Sequence, residues 1–507
     1  MTLPGVDPIC VVIGRTRHKM VQAEIREAHR QGAGLIEIRL DLLKMAPDFK
    51  RLLAEKPCPL IATCRRFEDG GKYGGNESAR QMLLRQAIVA GFDWVDLETD
   101  VADTIRRFKD VRRIVSYHNM REVPADLESI HARMCQQDAD IVKVAVRALK
   151  PTDNLRVLAL LKDPPKPTVA LCMGDQGMPA RVLAAKYGAP FTYAAFNKDR
   201  TLAPGMPNFD DMRDLYHYPK IDAETQVYGV LGDPVAHSLS PLVHNHAMRS
   251  AGLNAVYLPF RVPRGDLAGF LREFDKLPVC GYSVTIPHKE TAAALAKEKA
   301  PSVKITGAAN TLVRDEGGFI AYNTDFEGVL AVFRDQLPAS TTASPLQGKL
   351  VMVLGAGGVA RSVAFACQRE GAIVTIVNRT AERARELAEE AGCKCADWGA
   401  RHQILSDIVV NCTSVGMHPN VDQSPVARDF LKDKMTVFDT VYTPESTLLI
   451  KEARDQGCRV ITGVELFVRQ AALQFQLFTG REPPLELMQS VLRRGLSPVH
   501  IKPDPAA

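Results

Sequence analysis

A chain of 507 residues is too long for a single hydrophobic core, so we expect two or three domains. Its hydrophobic content of 46% and charged content of 24% are ordinary for a globular protein, and a net charge of +5 without long basic runs does not suggest a nucleic-acid partner. The 11 cysteines are scattered with no CxxC pair, which favours reduced thiols in a cytoplasmic protein.

Membrane and metal sites are not expected either. No apolar run approaches the length of a membrane-spanning helix, and the first strand pattern begins at Ile9 without a basic and apolar leader. Cys393-Lys394-Cys395 is too short a pattern for a metal site, and His244 and His246 do not share a helix face. We therefore expect small-molecule ligands, with no metal and no obligatory protein partner.

The first half of the chain alternates strand and helix patterns, the helices including 77–90 and 153–161. The predicted strands are Ile9–Ile13, Leu35–Leu40, Leu60–Cys64, Trp94–Leu97, Ile114–Tyr117, Ile141–Val146, Thr168–Cys172 and Phe191–Ala195. Eight such strand–helix units predict an α/β fold, a (β/α)8 TIM barrel over residues 1–217. In such a barrel the active site collects at the carboxyl ends of the strands.

Polar residues at those strand ends form a candidate site. They are Glu37, Arg39, Arg65, His118, Lys143 and Arg181. A lysine in an apolar strand is poorly hydrated, which favours a neutral, nucleophilic amine and suggests a Schiff base with a ketone. His118 can exchange a proton near neutral pH, and the arginines can hold a carboxylate or hydroxyls. The alternatives are an ion-paired lysine at the barrel rim and a structural histidine.

Five segments of this half occur in a fixed order: EIRLD, TCR, SYH, DIVKVAV and MGDQGMPAR. Their order and spacing resemble type I 3-dehydroquinate dehydratase. The resemblance implies that Lys143 forms the Schiff base and that His118 is the general acid and base of a syn dehydration. It also implies that substrate is bound by Glu37, Arg39, Arg65 and Arg181.

Four positions depart from that family's pattern. Asp69 precedes the glycine pair after the third strand where glutamate is usual, and Ala180 stands where serine is common. Leu202 and Met206 replace a serine and a glutamine in the segment after the eighth strand. The lid of this pocket is therefore predicted to have lost polar groups.

Residues 218–226 are polar and are interpreted as a linker, after which a strand is predicted over Val227–Leu231. Four segments then carry candidate polar residues: HSLSP with Ser238 and Ser240, VTIPHK with Thr285 and Lys289, GAANT with Asn310, and NTD with Asp325. Taken alone, the two serines are equally an N-cap residue and its neighbour.

A dinucleotide-binding unit is predicted next. A strand over Lys349–Leu354 leads into a turn, Gly355-Ala356-Gly357-Gly358-Val359, then a helix to about Arg369 and a strand over Ile373–Val377. Glycines allow the backbone to approach a pyrophosphate, and the helix N-terminus offers free N–H groups to it.

The end of the second strand of this unit indicates which dinucleotide binds. An NAD site has an acidic residue there, whereas this chain has Asn378-Arg379-Thr380, with Arg383 one turn later. Guanidinium groups grip a 2′-phosphate through paired hydrogen bonds, so NADP(H) is the predicted cofactor. Two solvated arginines on a helix are the alternative.

The four polar segments, together with the later blocks at 411–417, 439–442 and 463–471, resemble shikimate dehydrogenase. The resemblance implies that Lys289 and Asp325 form the catalytic pair. It implies substrate-binding roles for Ser238, Ser240, Thr285, Asn310, Asp325, Tyr442 and Gln470, and cofactor-binding roles for Thr440 and Gly463. Ser283 stands where asparagine is usual.

The two resemblances predict one bifunctional shikimate-pathway enzyme for aromatic amino acid biosynthesis. It would dehydrate 3-dehydroquinate to 3-dehydroshikimate and reduce this to shikimate with NADPH. The expected domains after the linker are a substrate lobe at 227–340, a Rossmann lobe at 341–460, C-terminal helices at 461–496 and a disordered tail at 497–507. The rivals are a quinate-preferring dehydrogenase with an impaired barrel, which Ser238 and Ser240 argue against, and a non-catalytic ligand sensor.

Overall fold

The computed structural model describes residues 5–338 and 344–497. The chain divides into two compact units: Met1–Gly229 with Asn254–Val279, and Val230–Leu253 with Cys280–Ala507. The tail predicted to be disordered lies outside the described residues except for Ser497. Within the described ranges, no helix has the length and apolar character needed to cross a membrane.

The first unit is built on an eight-stranded parallel sheet. Its strands are β1 Ile9–Ile13, β2 Leu35–Arg39, β3 Leu60–Thr63, β4 Trp94–Glu98, β5 Arg112–Asn119, β6 Ile141–Arg147, β7 Thr168–Met173 and β8 Thr192–Ala195. The hydrogen-bonded order is β7-β6-β5-β4-β3-β2-β1-β8, so β7 and β8 are the two ends of a nearly closed barrel. Just beyond these strands, the Gly174 amide donates to the Pro204 carbonyl at 2.9 Å.

The barrel prediction is confirmed, but the regular alternation with helices is not. The helices over this stretch are α1 His18–Arg30, α2 Phe49–Leu53, α3 Glu77–Ala90, α4 Leu127–Gln136, α5 Asp153–Ala159 and α6 Met178–Leu183. After β4 the described chain has only a 3-10 turn, Ala102–Thr104. After β8 it has a 3-10 turn, Lys198–Arg200, and a short π-helical turn, Asp211–Leu215. In the stretch interpreted as a linker, a 3-10 turn at Tyr218–Lys220 buries Tyr218.

Alternation along the strands fills the inside of the barrel. One apolar cluster takes Cys10 and Val12 from β1, Val169 and Leu171 from β7, and corresponding residues from the other strands. Buried charged residues occupy the same inward-facing rows nearer the carboxyl ends, as with Glu37 in β2. The strand sequences thus form an apolar floor below a polar mouth.

The remaining described elements belong mainly to the second unit. The strands are β9 Gln226–Gly232, β10 Ala255–Arg261, β11 Val279–Val284, β12 Glu298–Lys299, β13 Thr311–Asp315, β14 Gly318–Tyr322, β15 Leu350–Leu354, β16 Ile373–Asn378, β17 Lys394–Asp397, β18 Ile408–Asn411, β19 Thr436–Asp439 and β20 Arg459–Ile461. The helices are α7 Ser240–Ser250, α8 Leu267–Glu273, α9 Lys289–Leu295, α10 Pro301–Thr306, α11 Thr324–Gln336, α12 Gly358–Arg369, α13 Ala381–Ala391, α14 Leu448–Asp455, α15 Gly463–Thr479 and α16 Leu485–Leu496.

A parallel sheet in the order β17-β16-β15-β18-β19-β20 is the doubly wound arrangement of a dinucleotide-binding domain. Successive residues of β15 enter different cores, with Val351 and Val353 packing on one face and Met352 and Leu354 on the other. The predicted strand buried on both faces is therefore confirmed, and the Rossmann lobe with it.

Candidate active sites

The amine of Lys143 lies inside the barrel among charged groups. Its Nζ is 3.0 Å from Asp96 Oδ2 and 3.5 Å from Glu37 Oε2, and it lies 4.0 Å from the centroid of the Tyr193 ring. The side chain is 5% exposed, so water does not screen these charges. Strand β6 is apolar as predicted, but the surroundings of the amine are not, and the ion pairs lie in the interior rather than at the rim.

Arg65 pairs with two carboxylates near this amine. Its guanidinium contacts Asp96 at 2.8 Å and Glu98 at 2.7 Å. Burial alone would raise the pKa of Asp96, but the positive charges of Arg65 and Lys143 outweigh burial and hold that pKa far below its usual range. Asp96 is therefore a fixed anion between two cations.

His118 is held as a neutral imidazole. Burial lowers its pKa well below the usual value, and the positive charges of Arg65 and Lys143 lower it further against the opposing effect of Asp96. Its Nδ1 is buried and has no hydrogen-bond partner among the described residues. A neutral ring with an unused nitrogen, one strand from Lys143, can accept a proton.

The three predicted arginines of this half differ in how they are paired. Arg39 forms a bidentate ion pair with Asp41, at 2.8 Å for each contact, and Arg65 is paired as described above. Arg181, on α6, is fully buried, and none of its three guanidinium nitrogens has a partner among the described residues. Burial lowers the pKa of Arg181 to about 10. Arg181 thus has unused donors for an anion.

The four departures from the family pattern occupy distinct positions. Asp69 pairs with Arg66 at 2.7 Å, in a loop where a Cβ on Gly71 would come within 2.1 Å of the Arg65 carbonyl oxygen. Leu202 and Met206 pack against the barrel's apolar cluster. Ala180 is buried in α6. The polar groups absent from the lid are thus replaced by apolar packing.

Sequence reasoning assigned no role to four residues of this cluster: Asp96, Glu98, Ser116 and Tyr193. Asp96 and Glu98 alternate at the end of β4 and so share its inner face, a signal that the sequence does carry. Ser116 donates to Asp96 at 2.6 Å. In the sequence, Tyr193 cannot be told from the other apolar residues of its strand. Its contact with Lys143 depends on how the barrel closes.

In the second unit, Lys289 and Asp325 form a close ion pair. The Lys289 Nζ lies 2.5 Å from Asp325 Oδ2, with the lysine at the start of α9 and the aspartate in the first turn of α11. The Asn323 side chain caps α11 by accepting from the Phe326 amide at 3.1 Å. Both side chains are only slightly exposed, so the pair lies at the edge of a buried region.

Two of the predicted substrate segments, those of Thr285 and Asn310, lie next to this pair, and a third is joined to the first of them by a backbone hydrogen bond. The Asp233 amide donates to the Ile286 carbonyl at 3.0 Å, which joins the loop that leads to Ser238 and Ser240 to the segment that carries Thr285. Asn310 donates to Thr324 Oγ1 at 2.9 Å and accepts from the Thr324 amide at 2.7 Å. The amide of Asn310 therefore fixes the start of α11 beside Asp325.

Tyr442 and Gln470 both contact Phe467. The Tyr442 and Phe467 ring centroids are 5.0 Å apart, and Gln470 donates to the Phe467 carbonyl at 3.0 Å. A Cβ on Gly328, three residues after Asp325, would lie 3.4 Å from the Cβ of Gln470. Gln470 is thus one helix away from the ion pair.

Gln474, one turn after Gln470, was not singled out from the sequence. It accepts from Ser283 Oγ at 2.7 Å and donates to the Asn310 carbonyl at 3.1 Å and to Thr311 Oγ1 at 3.0 Å. Ser283, the departure from the family, therefore supports the backbone of Asn310 through a glutamine.

The predicted glycine turn depends on its glycines at two positions. Gly355 has φ +116°, and a Cβ there would lie 2.9 Å from the Cys412 carbonyl oxygen. A Cβ on Gly357, the N-cap of α12, would meet nothing within 4 Å, so its backbone faces open space. Gly358 is next to the catalytic candidate, since its Cβ would lie 3.9 Å from Lys289 Nζ. Ala356 and Val359 pack against the apolar core of this lobe.

The far end of the candidate cofactor site is exposed and carries two arginines. Arg379 and Arg383 are exposed and make no hydrogen bond or ion pair with residues in the described ranges. Asn378 donates to the Thr380 carbonyl at 3.0 Å, which orders the turn between them. At the other end, the Thr440 hydroxyl donates to the Asn411 carbonyl. A Cβ on Gly463 would lie 2.6 Å from the backbone carbonyl oxygen of Thr440.

Asp439 organises that second end from inside the protein. It is fully buried and accepts hydrogen bonds from Asn411 at 2.9 Å, the Val441 amide at 3.0 Å and Thr447 at 2.7 Å. Burial raises the pKa of Asp439 to about 6 despite these bonds. The loop that carries Thr440 and Tyr442 is thus held by a carboxylate.

Family models match consecutive parts of the chain. Residues 9–223 match type I 3-dehydroquinase, and residues 230–312 match the substrate-binding domain of shikimate dehydrogenase. Residues 338–440 match shikimate/quinate 5-dehydrogenase, and residues 463–493 match the C-terminal domain of shikimate 5′-dehydrogenase. The fold and the two sites define a barrel lyase joined to a dinucleotide-dependent dehydrogenase.

Relatives cover either the whole chain or its second half. The chloroplastic bifunctional 3-dehydroquinate dehydratase/shikimate dehydrogenase of Arabidopsis thaliana is 39% identical over 96% of this chain and 84% of its own length. The NADP(+) shikimate dehydrogenase of Methanopyrus kandleri is 41% identical over 54% of this chain and 96% of its own length. A crystal structure of a shikimate dehydrogenase in complex with NADP+ has a TM-score of 0.51 at 33% identity, covering 55% of this chain and 98% of that one.

The chain belongs to the family of bifunctional 3-dehydroquinate dehydratase/shikimate dehydrogenases. It is a shikimate-pathway enzyme that combines a lyase and an NADP-dependent oxidoreductase, as the sequence predicted.

Proposed function

We propose that the first half dehydrates 3-dehydroquinate through a Schiff base on Lys143, with His118 moving the proton. The observation that carries this proposal is the buried amine between two carboxylates, one strand from a neutral imidazole with an unused nitrogen. The amine adds to the substrate ketone and water leaves, which gives an iminium. His118 removes a proton from the neighbouring carbon, and the electron pair then expels a hydroxyl group that leaves as water with that proton. Hydrolysis of the iminium releases the product and the lysine.

We propose that Arg181 holds the substrate carboxylate. It is the buried guanidinium with three unused nitrogens, whereas Arg39 and Arg65 already pair with carboxylates. Arg39, Arg65 and Glu37 then border the substrate and fix the charges around it. An anion between Arg181 and the Lys143 iminium would be stabilised at both ends.

The second half is proposed to reduce 3-dehydroshikimate to shikimate. NADPH supplies a hydride when it is bound. The chain contributes the Lys289–Asp325 pair, which delivers a proton to the forming alkoxide. A Cβ on Gly358 of the glycine turn would lie 3.9 Å from Lys289 Nζ, and this closeness of the pair to the turn supports the role. Ser238, Ser240, Thr285, Asn310, Tyr442 and Gln470 surround the hydroxylated carboxylate in this proposal. Gly355 to Val359, Thr440 and Gly463 line the cofactor.

A preference for NADP over NAD is proposed from Arg379 and Arg383, which are exposed and have no partner within the part of the chain that the structure describes. Arg379 directly follows β16, between Asn378 and Thr380, and Arg383 lies in the first turn of α13, where a 2′-phosphate would be expected. The enzyme would work in the cytoplasm on small molecules, without a metal, a nucleic acid, a membrane or an obligatory protein partner. The domain boundaries at 217, 226, 340 and 460 are proposed with it.

Trapping the iminium tests the dehydratase proposal. Adding borohydride with 3-dehydroquinate should attach a reduced adduct to the peptide containing Lys143, detected by mass spectrometry. Lys143→Met should give no adduct. Lys166→Ala removes a different barrel lysine, one that donates to a backbone carbonyl, and should leave trapping intact. An adduct on another lysine, or no adduct, would contradict the proposal.

A further inference from the structure

Tyr193 belongs to the same interior layer of the barrel as the reactive amine. It is the second residue of β8, with its Cα partner at Cys10 of β1, and it is part of the apolar cluster that fills the barrel. Its ring forms an edge contact with Phe191, whose centroid is 5.4 Å away, and its face lies 4.0 Å from Lys143 Nζ. The side chain therefore points inward at the level of Lys143 and not into the surrounding helices.

The hydroxyl of Tyr193 is buried and unused. The residue is 2% exposed, and its oxygen has no hydrogen-bond partner among the described residues. Most buried polar groups in folded proteins do have a partner, so an unused hydroxyl in the barrel interior points to a ligand. Burial, followed by the charge of Glu37, raises the pKa of Tyr193, which keeps this hydroxyl protonated and able to donate.

Two side chains in the segment after β8, which was predicted to form the lid of this pocket, carry no hydroxyl or amide group. Leu202 and Met206 stand where a serine and a glutamine occur in the resembling family, and both pack against the cluster that contains Tyr193. A substrate with several ring hydroxyls thus loses polar partners above it. The unused hydroxyl of Tyr193 belongs to the cluster inside the barrel against which these two side chains pack.

We propose that Tyr193 is a substrate-binding and positioning residue of the dehydratase. Its hydroxyl donates to a ring hydroxyl of the bound cyclic polyol, and its ring holds the ammonium form of Lys143 in place by a cation–π contact. This assignment rests on the proposed Schiff-base function. It makes the polar contact at the base of the pocket a substitute for those absent from the lid.

Two substitutions separate the roles of the ring and the hydroxyl. Tyr193→Phe keeps the ring, so borohydride trapping at saturating substrate should persist, while the KM for 3-dehydroquinate should rise about 10- to 100-fold, the effect of one lost buried hydrogen bond. Tyr193→Leu should also slow trapping at saturation, since Lys143 loses the ring. Tyr187→Phe removes the hydroxyl of the last residue of the 3-10 turn Ala185–Tyr187, between α6 and β8, and should change neither quantity.

A rescue tests whether the hydroxyl acts on the substrate. Adding Met206→Gln to Tyr193→Phe should restore part of the lost affinity, because the lid then offers a polar group again. An unchanged KM in Tyr193→Phe, with trapping intact, would overturn the assignment while leaving the Schiff base in place. A wild-type chain that forms no adduct would instead refute the proposed function. In that case, direct binding of 3-dehydroquinate by equilibrium dialysis would judge Tyr193 alone, and equal affinity of wild type and Tyr193→Phe would overturn its role.

Discussion

Replacing Arg181 with methionine should have opposite effects on stability and on substrate binding. The arginine is fully buried, its three guanidinium nitrogens have no partner among the described residues, and burial lowers its pKa from the ordinary arginine value to about 10. That difference corresponds to about 3 kcal/mol of unfavourable free energy at neutral pH, where the group remains charged. Methionine keeps the apolar stem without the charge, so the free barrel should become more stable by up to about 3 kcal/mol.

Arg181→Met should weaken substrate binding by more free energy than it adds to the stability of the barrel. A carboxylate accepting two charge-assisted hydrogen bonds from Arg181 would be stabilised by about 3–6 kcal/mol, at roughly 1.5–3 kcal/mol for each bond. The KM for 3-dehydroquinate should therefore rise about 150- to 25,000-fold in Arg181→Met. Trapping on Lys143 at very high substrate should still occur, because the amine is unchanged.

The barrel can be observed separately from the rest of the chain. The sequence has two tryptophans, Trp94 in β4 and Trp398 in the Rossmann lobe, so a Trp398→Phe background reports barrel unfolding by Trp94 fluorescence in urea. Arg156→Met is the matched control, since Arg156 pairs with Glu128 at 2.8 Å near the surface. A barrel that is less stable with Arg181→Met, together with an unchanged KM, would show that Arg181 is structural and refute the reasoning.

Three further predictions concern the cofactor, the catalytic pair and pH. Arg379→Ala should raise the KM for NADPH at least 10-fold with little effect on NADH, whereas Arg385→Ala, which removes an exposed partner of Glu382, should not; equal turnover of the unmutated protein with NADPH and NADH would contradict the cofactor assignment. Lys289→Ala and Asp325→Ala should each abolish reduction in a spectrophotometric assay while dehydration continues, and loss of both activities would argue for one interdependent site. Because the pKa of His118 is lowered, its imidazole stays unprotonated as pH falls, so kcat/KM for dehydration should remain level from pH 8 to 6.5; a decline centred at 6.5 or above would count against a neutral His118 base.

Many of the helices and strands could be predicted from the sequence because their signals are local. An apolar run predicted β1 and a helical pattern predicted α3, both with the bounds that the structure has. The position of Lys143 within β6 followed from the apolar run around it. The sequence also predicted the doubly wound lobe, since glycines at 355 and 357 follow a buried strand directly.

Pairings across the fold could not be read in the same way. Which arginine meets which carboxylate depends on barrel curvature. The pairing of Arg65 with Asp96, and the lack of a partner for Arg181 among the described residues, are therefore results of the structure. Gln474 was missed for a similar reason. Its bonds to Ser283 and Asn310 join residues 191 and 164 positions away, and no local pattern marks it.

A coupled assay with purified full-length chain tests the central claim, that two active sites in this chain carry out consecutive reactions. With 3-dehydroquinate and NADPH as the only reactants, NADPH absorbance should fall and shikimate should accumulate in equal amount. Lys143→Met should stop both changes, and adding 3-dehydroshikimate should restore them. Consumption of NADPH by Lys143→Met with 3-dehydroquinate alone would contradict the account, as would a failure of the unmutated chain to form shikimate.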